Sequence, residues 1–296
     1  MIKPYSLIAI IYNPKSTGAS KRLARQLQRK LTKRLPEQKI KLIPTKHAGH
    51  AEQLAGEITR RYKRPLIVSS SGDGGYNEVV NGILHARKKG HEPVAGLLPA
   101  GNANDHFHEL HTQDSVEAIA EQYEQYIDVL SFTATTKGQP VQRYAHSYIG
   151  IGLTPEAGYK LNQSRLKLLS EAWIVAKVLL FLSSVKVLIN GEVRHYDSLV
   201  FSNVTKMSKI LKLSQTAKPH DGKFEITAFR RRNKPQLIRS LLRTATVGLV
   251  GDRQETEYSF TTINPTLIQL DGEVMRIDAH CEVHVTIVPA ALRCIV

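Results

Sequence analysis

The first hundred residues alternate between short apolar runs and amphipathic stretches, and that alternation leaves few folds open. YSLIAIIY (5–12), KIKLIP (39–44), RPLIVSSS (64–71) and EPVAGLLP (92–99) are near-continuous apolar runs of strand length. Between them, Leu23, Leu27, Leu31 and Leu35 recur at intervals of four. Ala51, Leu54, Ala55 and Ile58 share one helical face, and Val79, Val80, Ile83 and Leu84 share another. Strands apolar on both faces, each followed by a helix, predict a parallel sheet covered on both sides. Ligands of such sheets bind beyond the carboxyl ends of the strands. NPKSTG, PTKHAGH, SGDGG and PAGNAND each follow directly after one of these runs, so all lie along one sheet edge.

Beyond about residue 130 the texture becomes that of short β-like runs: VQRYAHSYIGIG, VKVLINGEV, HYDSLVFSNV, KFEITAFR, TEYSFTTI, TLIQLDGE, MRIDAH and EVHVTIVP. Their spacing predicts a β-sandwich or barrel, with helical insertions over 163–183 and 234–247. A chain of 296 residues suits two domains, an α/β domain over 1–130 and a β-rich domain over 131–286. The formal charge of +15 favours phosphate-bearing partners: nucleotides, nucleic acid or an anionic membrane surface. Cys281 and Cys294 imply no disulfide framework and suit a cytoplasmic protein. The opening MIKPYSLIAIIYNPKS has too short an apolar run for a signal peptide. The longest apolar stretch, 172–189, contains Trp173, Lys177 and Lys186, and a central lysine costs roughly 3 kcal/mol on insertion scales. It reads as a buried or membrane-leaning helix running into a strand, with Trp173 facing core or lipid.

SSSGDGGYNEVVNG (69–82) carries the densest chemical signal. Consecutive glycines let backbone N–H groups converge, and a helix starting near Asn77–Glu78 adds its positive end, which together make an anion nest. The competing reading is a strand-to-helix turn that needs φ > 0. The pattern is neither a Walker A loop nor GxGxxG. Elsewhere, Asp-Gly in IQLDGE signals a hairpin. HFHELH (His106, His108, His111) lacks the HExxH spacing of a zinc site. The basic stretch KSTGASKRLARQLQRKLTKR and the run FRRRNK (229–234) read as solvated faces or as contacts to anionic headgroups, worth about 1 kcal/mol per cation. No aromatic platform accompanies them, which disfavours nucleic acid.

NPKSTG, SGDGGYNEVVNG and PAGNAND together resemble the catalytic domain of the diacylglycerol kinase, sphingosine kinase and ceramide kinase family, above all its soluble bacterial lipid kinases. Those carry an Asn-Pro turn, a GGDGT-x-NE loop and a P-x-GTxND turn in this order. AHSYIGIGLTPEAG resembles the family's glycine-rich strand, KPHDGKFEI its metal segment, IQLDGE its DGE motif, and VPAALRCIV the terminal strand (about 287–296) that returns to the first domain. The resemblance implies a Rossmann-like nucleotide domain, a C-terminal β-sandwich domain for lipid binding and catalysis, and an active site in the interdomain cleft. It also implies transfer of a phosphoryl group from ATP, with Mg²⁺, to a lipid hydroxyl. Diacylglycerol is the first candidate acceptor, giving phosphatidic acid for phospholipid biosynthesis. The enzyme would be cytoplasmic and peripheral at an anionic membrane surface, with room for a homodimer. The alternatives are a non-catalytic or weakened nucleotide- or lipid-binding homologue, or an enzyme like NAD kinase, whose TPTGSTAY-like stretch has no counterpart here.

By the same resemblance, Asn13 and Ser16 would border the nucleotide phosphates and Thr45 would contact ATP. Ser71, Gly72, Asp73, Gly74, Gly75, Tyr76 and Asn77 would wrap the phosphates, with Glu78 and Asn102 completing the nucleotide-binding set. Asn104–Asp105 keeps the family's ND pair. Asp271 would be the general base, and Glu273, on the same face if the segment is a strand, would tune it or share its role. Asp73 would serve the Mg²⁺ of ATP, and Asp221 with the backbone carbonyls of Lys218 and Lys223 a second Mg²⁺. Ser71 replaces a family glycine, and Gly75 and Asn102 replace threonines. A hydroxyl lost at Gly75 removes a hydrogen bond worth about 0.5–1.5 kcal/mol, so Gly75→Thr is expected to raise ATP affinity or turnover.

Overall fold

All four apolar runs of the first hundred residues form strands, and the intervening stretches form helices. The computed structural model describes residues 4–16, 19–110, 113–152, 184–207, 211–212, 214, 217–230 and 253–296. They divide into two units, Met1–Val129 with Pro289–Val296, and Leu130–Val288. The helical readings at 163–183 and 234–247, Trp173, Lys177, His111 and most of FRRRNK lie outside the described residues.

The first unit runs β1 (Leu7–Tyr12), α1 (Ser20–Arg34), β2 (Ile40–Pro44), α2 (His50–Arg61), β3 (Pro65–Ser71), α3 (Asp73–Ala86) and β4 (Val94–Pro99). The strands pair in parallel in the order β4–β3–β1–β2. Two short helices follow, α4 (Asp105–Leu110) and α5 (Ser115–Ala120). Ile8, Ile10, Leu66, Val68 and Val94 pack with Ala24, Leu27 and Leu31 of α1, so the i, i+4 stripe is the buried face of that helix. Helices α2 and α3 approach closely at glycines. A Cβ on Gly82 would run into the carbonyl oxygen of Glu52 and stand 2.8 Å from Cβ of Ala55.

The second unit is antiparallel. It begins within β5 (Glu124–Thr136), then β6 (Gln139–Ala145), β7 (Tyr148–Gly152), β8 (Val185–Ile189), β9 (Glu192–Ser202), β10 (Lys206–Met207), β11 (Leu211–Lys212) and β12 (Phe224–Arg230). It continues through β13 (Arg253–Glu255), β14 (Glu257–Thr262), β15 (Thr266–Leu270), β16 (Glu273–Ile277) and β17 (Glu282–Ile295). β9 pairs with β7, β8 and β12, and β15 with β7 and β16. Ile149, Ile151, Phe201, Phe224, Phe260 and Ile268 fill its core.

Two features depart from the sequence pattern. β5 was not foreseen, because Asp128, Ser131 and the threonines break its apolar run; Asp128 is buried and its Oδ1 accepts the N–H of Ala290 at 2.7 Å. VQRYAHSYIGIG forms two strands, β6 and β7, interrupted at His146–Ser147. The last strand, β17, has residues 282–286 paired with β14 in the second unit and Cys294 paired in parallel with Ala95 of β4 in the first. Burial pushes the Cys294 thiol up to about 12, as expected of an unreactive core cysteine. No helix among the described residues is long and apolar enough to cross a membrane.

Gly82→Ala should lower the urea-unfolding free energy by about 1–3 kcal/mol, the usual cost of overpacking. The slope against urea should be unchanged, because the surface exposed on unfolding is the same.

Candidate active site

Strand β3 ends at Ser71, and Gly72, in extended conformation (φ −90°, ψ −171°), caps the helix that follows. Helix α3 begins at Asp73 rather than near Asn77, so Gly74 and Gly75 lie in its first turn. Its first internal hydrogen bond runs from the Tyr76 N–H to the Gly72 carbonyl at 3.1 Å. The first-turn N–H groups therefore gather at the carboxyl edge of the sheet, where the helix dipole favours an anion. Gly72, Gly74 and Gly75 are absent from the positive-φ residues, so the demand for a left-handed turn does not explain them.

Close approach explains two of them. A Cβ on Gly72 would lie 3.2 Å from Cα of Gly101, and one on Gly101 would run into Cα of Gly72. The loops after β3 and β4 thus touch backbone to backbone. A Cβ on Gly75 would stand 2.7 Å from both Cβ and Oγ of Ser71. A side chain at position 75 would force it or Ser71 to shift, which counts against the expectation that Gly75→Thr strengthens the site.

The PAGNAND loop is tied to α3 by polar contacts as well. The Asn104 N–H donates to Asp73 Oδ2 at 2.9 Å, and the Ala100 N–H to the Ser71 carbonyl at 2.9 Å. Asn104, at φ 51°, closes the loop on itself: Oδ1 accepts the Gly101 N–H at 3.2 Å and Nδ2 donates to the Gly101 carbonyl at 2.8 Å. Asn102 is exposed between them. In NPKSTG, Asn13 Oδ1 accepts the Lys15 N–H at 2.9 Å, and the Ser16 N–H donates to the Asn13 carbonyl at 3.3 Å. Two residues that sequence reasoning missed, Ser20 and Ser70, bind this turn to β3. Ser20 Oγ donates to the Ser70 carbonyl at 2.5 Å, Ser70 Oγ to the Ser20 carbonyl at 2.9 Å, and the Asn13 N–H to Ser20 Oγ at 3.2 Å.

Four members of the expected nucleotide set have other work. Glu78 Oε1 accepts the Gly49 N–H at 2.9 Å and Oε2 the Ala51 N–H at 3.0 Å, so its carboxylate caps α2 and holds the PTKHAGH loop. Thr45, half-buried in that loop, donates its N–H to the Tyr12 carbonyl at 2.9 Å. The Tyr76 side chain is fully buried with its ring 4.9 Å from that of His106, which makes His106 a packing residue while His108 is exposed. Asn77, also buried, accepts from Asn81 Nδ2 at 2.9 and 3.0 Å.

In the second unit, Asp271 and Gly272 form the two-residue turn between β15 and β16, at φ 48° and 99°. This is the hairpin that Asp-Gly signals, but the aspartate side chain does more. Its carboxylate is fully buried and accepts backbone N–H groups from His146 (2.6 Å, Oδ2), Ser147 (2.9 Å, Oδ1) and Tyr148 (2.8 Å, Oδ1). It therefore sits at the break between β6 and β7 and satisfies the donors that the ladder leaves there. His146 Nε2 lies 3.3 Å from Oδ2, and His146 Nδ1 shares a hydrogen bond with Ser147 Oγ at 2.8 Å. His146 was not singled out from the sequence; a polar pair inside an apolar run was the only signal. Glu273 is exposed at the start of β16, because the turn breaks the strand alternation that would have put it beside Asp271.

At KPHDGK, Asp221 is exposed and its Oδ1 accepts the Lys223 N–H at 3.1 Å, with Gly222 at φ 74°. Lys218 is exposed on the same turn. An aspartate with two neighbouring carbonyls is an all-oxygen set of the kind a hard cation takes. Among the described residues no group of three or more His, Cys, Asp or Glu could hold a metal.

Residues 8–132 match the family model described as the diacylglycerol kinase catalytic domain. That segment is similar to the family's catalytic domain. Over 253 residues the chain is 28% identical to a diacylglycerol kinase of Staphylococcus carnosus strain TM300, covering 77% of this chain and 74% of that one. A solved diacylglycerol kinase from Bacillus anthracis strain Sterne superposes with a TM-score of 0.71 at 16% identity, covering 100% of this chain and 98% of that one. Yeast NADH kinase in complex with NADH shares the fold more distantly, with a TM-score of 0.53 at 12% identity over 99% of this chain and 84% of that one.

Asp271→Asn turns an amide N–H₂ towards at least one of the backbone donors around it. A donor left unmade costs about 1–3 kcal/mol, so the variant should unfold at lower temperature in a calorimetric scan. Glu273→Gln, changing an exposed side chain, should leave the transition where it is.

Proposed function

We propose that this diacylglycerol kinase-type chain is an ATP- and Mg²⁺-dependent lipid kinase that phosphorylates diacylglycerol at an anionic membrane surface on the cytoplasmic side. The observation that carries the reading is the backbone contact of the SGDGG and PAGNAND loops at the carboxyl edge of a parallel sheet, inside the segment that matches the kinase family. Phosphoryl transfer to an alcohol needs alignment, charge neutralisation and an acceptor for the hydroxyl proton, and little covalent chemistry from the protein.

Each need has a candidate here. The first-turn N–H groups of α3 suit phosphate oxygens, and Asp73, half-buried beside them, offers a hard carboxylate oxygen for a hydrated Mg²⁺. When bound, the cation would neutralise charge on the transferring group. Asp271 is the proton acceptor in this reading. Three backbone N–H groups fix its orientation, and His146 Nε2 approaches Oδ2 at 3.3 Å, a longer distance than those three bonds. The membrane reading is supported by the outer face of α1, where Lys21, Arg22, Arg25, Arg29 and Lys33 are all exposed opposite the buried leucines.

The test is transfer of labelled phosphate from ATP to a panel of diacylglycerol, sphingosine, ceramide and NAD. Labelling of diacylglycerol is expected. Asp271→Asn, assayed below its unfolding transition, should lose at least 100-fold in turnover, in line with loss of a general base (roughly 10²–10⁴), while Glu273→Gln retains most of it. Transfer to NAD alone would replace the lipid reading. Loss in Glu273→Gln with folded Asp271→Asn still active would move the base to Glu273.

A further inference from the structure

Ser71 and Gly75 form a pair in which only one position has room for a side chain. They lie at the end of β3 and in the first turn of α3, and a Cβ built on Gly75 would meet Cβ and Oγ of Ser71 at 2.7 Å each. Real Cβ contacts are essentially never that short, so with Ser71 where it stands a side chain at 75 forces one of the two to shift. The loop therefore keeps a hydroxyl in the space that a side chain at 75 would otherwise enter.

The hydrogen bonds of that hydroxyl leave it available. Ser71 Oγ donates to the Gly72 carbonyl at 2.9 Å, but this carbonyl already accepts the first helical bond, from the Tyr76 N–H at 3.1 Å. Turning the Ser71 hydroxyl elsewhere would strand no buried acceptor. Behind it, Ser69 Oγ lies 2.8 Å from Ser71 Oγ and donates to the Gly75 carbonyl at 3.2 Å. Ser69 is buried, whereas Ser71 is half-buried at the sheet edge. If Ser71 donates outward, Ser69 can donate to Ser71 Oγ, and such a chain strengthens the outer bond by polarisation.

We propose that Ser71 is the side-chain donor with which this loop holds a nucleotide phosphate oxygen, Ser69 backing it, and that position 75 is glycine to make room for it. The inference rests on the nucleotide reading of the loop. Relative to the GGDGT pattern, the hydroxyl has moved from position 75 to position 71, and the two replacements are one compensated exchange.

The test compares wild type, Ser71→Ala, Gly75→Thr and the double variant Ser71→Gly/Gly75→Thr. Binding of Mg²⁺ with a non-hydrolysable ATP analogue is measured by calorimetric titration, and the melting temperature is read in parallel. Ser71→Ala keeps the Cβ and removes only the hydroxyl. It should bind about tenfold more weakly, as for one hydrogen bond to a charged group, with the melting temperature unchanged. Gly75→Thr should lose both affinity and melting temperature, and the double variant should recover both. Wild-type affinity in Ser71→Ala, a fully stable and tight-binding Gly75→Thr, or a double variant no better than Gly75→Thr overturns the proposal while leaving the nucleotide reading intact. A wild type that binds no nucleotide overturns both.

Discussion

The contact of Gly72 with Gly101 is the constraint on which the first unit's sheet edge depends. Two chain segments that leave adjacent parallel strands cross at backbone distance: a side chain at 101 would run into Gly72, and one at 72 would press on Gly101. That approach places the start of α3 against the PAGNAND turn, where Asp73 takes the Asn104 N–H. At Gly72, Gly74 and Gly75 the backbone is extended or helical rather than left-handed. Glycine serves here as the smallest residue and its conformational freedom goes unused, and the same holds at Gly75 and Gly82. In each case the neighbour is specific, Gly101, Ser71 or the Glu52–Ala55 turn, so each glycine reports a contact that local sequence cannot reveal.

Carboxylates in this chain repeatedly hold backbone where regular pairing stops. Glu78 caps the start of α2, Asp128 takes the N–H of Ala290, and Asp271 takes three N–H groups at the break between β6 and β7. Charge-assisted bonds to backbone N–H are stronger than neutral ones, and an orphaned buried donor is costly, so a carboxylate is an effective clamp at an irregular point. Asp271 unites this structural work with a proposed chemical role. The clamp fixes the oxygen that would act as base, and the cost of building it is met in the fold before any substrate arrives.

Much of this was legible from residues alone. The apolar runs gave β1 to β4, the leucine spacing gave the buried face of α1, and Asp-Gly gave the hairpin at 271–272. The motif order pointed to the kinase family that residues 8–132 match. What escaped had a common cause. β5 was hidden because a buried Asp128 looks polar in sequence. The start of α3 was placed too late because glycines mask a first helical turn. Glu78, Tyr76 and Asn77 lie inside the glycine-rich motif, yet their side chains face protein. His146 and the Ser20–Ser70 pair owe their places to partners more than a hundred residues away or on another element.

The sequence by itself determined the alternation of strands and helices, the shared edge of the four loops and the two turn residues of the hairpin, because these follow from local periodicity and dihedral preference. Only the tertiary structure decided which motif residues face solvent and which brace the scaffold, because that depends on the space and the hydrogen-bond donors supplied by distant segments. At position 75 the sequence showed a missing threonine. The packing showed a serine already occupying its place.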